Sequence, residues 1–192
     1  MKKKVLLIAL AAILLVGASI GGTLAWLTAT ASVINTFTVG KVNIDLYEHT
    51  LAEDGKTLKT GETNITRTGN AYHLVPGETY GKDPTVIVND GSEECYVFVK
   101  VANPFGDKLV PNIVSTNWIE VTVPNPIAGE KVYKYTNTAT AGQNLQVFTE
   151  VTASSSIVAE TFGNIVVTAY AIQKEGLTAG LTDAGIFGLA SA

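Results

Sequence analysis

Cysteine is nearly absent. Cys95 stands alone in 192 residues, so no disulfide can form within the chain and its fold has to be held by packing. Histidine is almost as scarce: His49 and His73 are the only two, and no H-E-x-x-H spacing places two imidazoles on one helical face. A zinc site would have to gather both histidines with acids such as Glu48 or Glu78 from distant parts of the chain. No G-x-S-x-G elbow, phosphate-binding loop or dinucleotide fingerprint occurs. No catalytic, cofactor-binding or metal-binding residues are therefore expected. Charge is sparse as well, at 16% of residues, with Lys+Arg 13 against Asp+Glu 17. A protein without a basic surface cannot neutralise phosphates, which excludes nucleic acid as a partner.

Long hydrophobic runs are missing with one exception. Lys2, Lys3 and Lys4 precede an unbroken apolar stretch from Val5 to Val16, ended by Gly17. That is the length of a signal-peptide core and shorter than the ~20 residues a membrane span needs. Small residues follow it. Cleavage between Ala25 and Trp26 has the better spacing, while Ala29-Thr30-Ala31 is the closer A-x-A match. Residues 1–25 are thus expected to be a signal peptide, with membrane contact only before processing and signal peptidase as a partner during export; an uncleaved N-terminal anchor, favoured by the weaker apolar continuation through Ile20, Leu24 and Trp26, is the alternative. Their removal takes away three lysines and no acid, which makes the remainder more acidic. No sorting motif with a hydrophobic tail closes the chain, so the product is expected to be secreted, or held at the cell surface or matrix by assembly.

What is present in abundance is alternation. Short period-2 segments rich in Val, Ile, Thr, Tyr and Phe are separated by Gly, Pro, Asn and Asp, the pattern of an antiparallel β-sandwich. Strands are expected over residues 42–46, 85–89, 95–101, 118–123, 132–136, 145–151 and 164–173. In the third of these Cys95, Val97, Val99 and Val101 share one face and Tyr96, Phe98 and Lys100 the other, which marks a central strand. Residues 51–68, with Gly55 and Gly61, read as an exposed hairpin or loop excursion. Pro104, Pro111, Pro124 and Pro126 mark connections or edges. Helix is expected only briefly, over residues 151–162 and after a Thr182 or Asp183 cap up to Leu189. Asp90, Glu93 and Glu94 around Gly91 offer oxygen atoms to calcium but lack EF-hand spacing, and a charged turn is the commoner arrangement.

Three stretches carry a resemblance: GGTLAWLTATASVINTFTVGKVNIDLYE over residues 21–48, LVPGETYGKDPTVIVNDGSEECYVFVKV over 74–101, and VVTAYAIQKEGL over 166–177. In this order they resemble the TasA/camelysin family, most specifically at Asn35, Thr36, Phe37, Gly40 and Leu46. The resemblance implies a jelly-roll-like sandwich, processing by a dedicated signal peptidase, and secreted subunits that join into biofilm-matrix fibres by strand donation. Some members are described as metallopeptidases, which supplies an alternative reading. A monomeric surface adhesin is another.

The residues after the signal fit strand donation on their own. From Trp26 to Ile34, Leu27, Ala29, Ala31 and Val33 fall on one face of an extended strand, and Thr28, Thr30 and Ser32 on the other. Residues 26–40 are read as this donor and linking strand, with pairing to its own sheet or disorder as the alternatives, and residues 41–192 as the sandwich domain. A neighbouring copy with an unfilled sheet edge could accept the strand by β-augmentation. The expected partner is therefore a second copy of the chain, in a homo-polymer that other matrix proteins could join.

Overall fold

The computed structural model describes residues 41–158 and 163–192. They form an all-β, antiparallel sandwich with one short helix. The expected signal peptide and linking strand, including Ala25, Trp26, Leu27, Ala29, Ala31 and Val33, lie outside the described residues.

The strands are β1 (Ile44–His49), β2 (Ile65–Thr66), β3 (Thr79–Gly81), β4 (Thr85–Val88), β5 (Cys95–Ala102), β6 (Leu109–Pro111), β7 (Trp118–Val121), β8 (Glu130–Tyr135), β9 (Asn144–Gln146), β10 (Glu150–Ala153) and β11 (Val166–Gln173), followed by helix α1 (Asp183–Ala190). One layer contains the ladders β2-β1-β4-β9 and β3-β10-β6, and the other runs β11-β5-β8-β7.

The two ladders of the first layer are halves of one bent ribbon. Gly81 lies opposite Glu150 and Thr85 opposite Gln146, so both strands advance equally across the interruption and the register is kept. Backbone bonds bridge the bend, from Lys82 N to the Thr149 carbonyl at 3.0 Å and from Val147 N to the Pro84 carbonyl at 2.9 Å. Pro84 has no N–H to donate, which opens the ladder at that point. Gly81, just before the bend, is required by close approach: a Cβ there would stand 2.8 Å from the Leu58 side chain. Its N–H instead donates to the Lys56 carbonyl at 2.7 Å and pins the 51–58 excursion to the ribbon.

Between the layers lies the main core. Val86 and Val88 from β4 meet Cys95, Val97 and Val99 from β5, all fully buried, and Val42, Ile44 and Leu46 pack against them. The opposite face of β5 builds a second cluster with α1. Phe98 is fully buried there, its ring 5.6 Å from that of Phe187, which also meets Tyr170 edge-on. Thr182 caps α1 by accepting from Gly185 N, and Lys134 binds Asp183 at 2.6 Å. These contacts offset Gly185 and Gly188, each worth about 1 kcal/mol against a helix.

Most of the expected strands appear within a residue or two of their anticipated bounds, and β5 is central as anticipated. The single strand expected over 145–151 is divided by the ribbon's bend. Where a helix was expected from 151, Val151 and Ala153 are buried and Thr152 exposed, the period of strand β10. The excursion 51–68 contributes β2, paired to the end of β1. Pro111 ends β6, which among the described residues pairs on one side only, where a missing N–H is tolerated.

Candidate functional site

Among the described residues the second layer ends at β11. Among the described residues β11 pairs only with β5, over all eight of its residues, and its other side carries no strand. Its inward side chains, Val167, Ala169 and Ala171, remain partly exposed, whereas the β5 residues beside them are sealed. Next to this edge lies an open cavity of about 890 Å³. Leu46, Tyr72, Leu74, Leu109, Ile157 and Val167 make its apolar walls. Both layers contribute, so the cavity is a gap in the sandwich core.

One end of the gap is polar. Glu48, on the inward face of β1, is 5% exposed, and Asp83, at the ribbon's bend, is 6% exposed. Charges this deep must be paired and hydrogen-bonded. Glu48 Oε2 lies 2.6 Å from Lys82 Nζ, while Glu48 Oε1 accepts from both Asn70 N and Asn70 Nδ2 at 2.9 Å. Asn70 Nδ2 also donates to the His49 carbonyl, and Asn70 Oδ1 accepts from Leu51 N at 3.0 Å. Asp83 accepts from His49 N and contacts His49 Nδ1 at 2.6 Å. Lys82 stands over the Tyr72 ring, 5.8 Å from its centre. Burial, and then the charges of Glu48 and Asp83, hold the Tyr72 phenol well above its ordinary range, so it stays protonated and donates to the Gly81 carbonyl. A strap without regular structure, from Arg67 to Leu74, is fastened over this end of the gap by these bonds.

The two histidines have separate surroundings. His49 ends β1 and is bound to Asp83. His73 is exposed, its carbonyl accepting from the Tyr80 hydroxyl. No group of three or more His, Cys, Asp or Glu among the described residues is arranged to hold a metal ion. Of the acids around Gly91, Glu94 is bound by Thr138 and by Lys174 at 2.9 Å, bonds that hold its carboxyl below the ordinary range. Cys95 is fully buried, and burial pushes its thiol up to about 11.

Sequence reasoning passed over Asn70, Lys82 and Asp83. A signal was there: Lys82-Asp83-Pro84 interrupts an otherwise apolar strand pattern, and charges in such a place need partners when the strand is buried. No family model matches the chain, and no curated protein or solved structure is significantly similar to it.

Proposed function

We propose that the chain is an exported structural protein whose copies join head to tail into extracellular fibres, each copy's mature N-terminal strand filling the gap in the next. The observation that carries this reading is that β11, unpaired along one side among the described residues, is bordered at Val166 and Val167 by a gap with apolar walls and one polar end. A strand added there gains backbone bonds from the edge and buries alternate side chains. The occupant is the segment 26–40. It contains no charged residue, so it can be buried without stranding an ion, and Leu27, Ala29, Ala31 and Val33 supply the apolar face that would meet the gap. The resemblance of residues 21–48 to the TasA/camelysin family points the same way.

A contact between unlike surfaces, tail to groove, propagates as an open filament unless its rotation closes a ring. Cleavage at Ala25-Trp26 would free the strand, so export and assembly are coupled in this reading. Electron microscopy of the processed protein tests it. Wild type and Thr28→Asp should form fibres, while Val33→Asp should remain as folded monomers. Equal fibre formation by all three would assign the polymer, if any, to another surface.

A further inference from the structure

We propose that Lys82 and Asn70 become joined by an isopeptide bond that the chain forms unaided, with Glu48 as the catalytic acid and base. A single buried carboxylate holds both reactants, the Lys82 amine on one oxygen at 2.6 Å and the Asn70 side-chain amide on the other at 2.9 Å. A plain ion pair would need only the first of these contacts. The second aligns a partly buried carboxamide beside a lysine, Glu48 and Lys82 having side-chain exposures of 7% and 12%. Two groups fixed in one site react far faster than the same groups free in solution.

The remaining bonds of Asn70 suit the reaction. Its carbonyl oxygen accepts from Leu51 N, a backbone donor placed where negative charge would develop during attack. Its amide nitrogen, the leaving group, donates to Glu48 and to the His49 carbonyl, which fix its direction. Glu48 takes a proton from the Lys82 ammonium, and the neutral amine attacks Asn70 Cγ. The Nζ–Cγ bond forms, the Cγ–Nδ2 bond breaks, and Glu48 returns a proton to Nδ2, which departs as ammonia. The second proton shed by the amine stays on Glu48, which is left neutral once its lysine partner has lost its charge. No oxidant, metal or co-reactant is needed. The bond replaces a buried lysine charge by a neutral amide, relieving the cost of keeping that ion out of water. It also ties the strap to the ribbon's bend.

Peptide mapping of the exported protein decides the matter, independently of whether fibres form. Trypsin should fail to cut after Lys82 and should yield residues 68–100 as one peptide, lighter by one ammonia. A second cut after Glu78 should leave the two halves joined. Glu48→Gln, which cannot take up the proton, and Lys82→Arg should each restore full mass. Normal cleavage after Lys82 in wild type, or a light peptide whose halves separate after the second cut (the mark of a cyclised asparagine), would overturn the proposal.

Discussion

Strands β5 and β11 are neighbours paired over eight residues, and their inward faces follow the same alternation, yet only one of them is sealed. Val97 and Val99 have no exposed surface, while Val167, Ala169 and Ala171 are partly open. The difference is one of flank rather than of sequence pattern. β5 has a strand on each side, the first layer below it and α1 above. β11 shares the layers but lacks a second neighbour among the described residues. An apolar face half covered in the single subunit is completed at little cost by a partner, whereas a sealed face has nothing to offer one. In the proposed fibre, folding and assembly would be served by adjacent strands of one sheet.

The largest loss of stability is expected on the sealed side. Phe98 is fully buried beneath α1, and truncating such a ring typically costs about 3–5 kcal/mol. Phe98→Ala should shift the denaturant midpoint accordingly. Val99→Ala should cost about 2 kcal/mol, from the lost transfer energy and the cavity left behind. Val167→Ala should cost under about 1 kcal/mol in the monomer, and under the proposed assembly it should impair fibres by removing part of the groove's wall. Equal monomer destabilisation by Val99→Ala and Val167→Ala would mean that the two flanks do not differ.

A chemical probe gives a smaller, sharper contrast within β5. Cys95 is buried, and its thiol is held up to about 11 by desolvation first and by the nearby Glu94 charge second. The reactive thiolate is thus nearly absent near pH 8. Native protein should resist a thiol-alkylating reagent that labels the unfolded chain completely. Fast labelling of the native protein would place Cys95 on an accessible face.

How far the sequence revealed this molecule depended on the distance over which each feature is encoded. The alternation in 95–101 marked a central strand because both faces are apolar, and Thr182 marked the start of α1 because a cap is a local device. Strands β2, β3 and β6 escaped notice because two or three residues are too few to display a period. The helix expected from 151 failed because the ribbon's pairing, set by β3 and β6, outweighs weak local preference. The gap could not be read at all, since the absence of a second neighbour for β11 among the described residues leaves no mark on that strand. The polar cluster joins positions 48, 70 and 82 from three segments. Only Glu48 drew attention in the sequence, as a metal ligand rather than as the partner of an amine and an amide.

The smallest expected effect concerns the surface side of β1, where Asp45 faces outward while its neighbours Ile44 and Leu46 face the core. Arg67, at the start of the strap, binds Asp45 through Nε at 2.7 Å and through Nη2 at 2.5 Å. That hydrogen bond, assisted by one from Leu46 N and opposed by slight desolvation, lowers the Asp45 carboxyl below its ordinary value. A carboxyl lowered on folding binds protons more readily in the unfolded chain, so the stability it lends is present above the unfolded value and is lost as pH falls through the folded one. Wild type and Asp45→Asn should therefore differ in stability by a constant amount above about pH 5, and the gap should narrow below about pH 4. The pair is partly exposed, so the gap should be modest and should shrink in salt. The bond also ties the strap to β1 on the side away from Glu48, so a gap independent of pH between 2 and 7, about the span of carboxylate titration, would show that Asp45 holds the strap by shape rather than by charge.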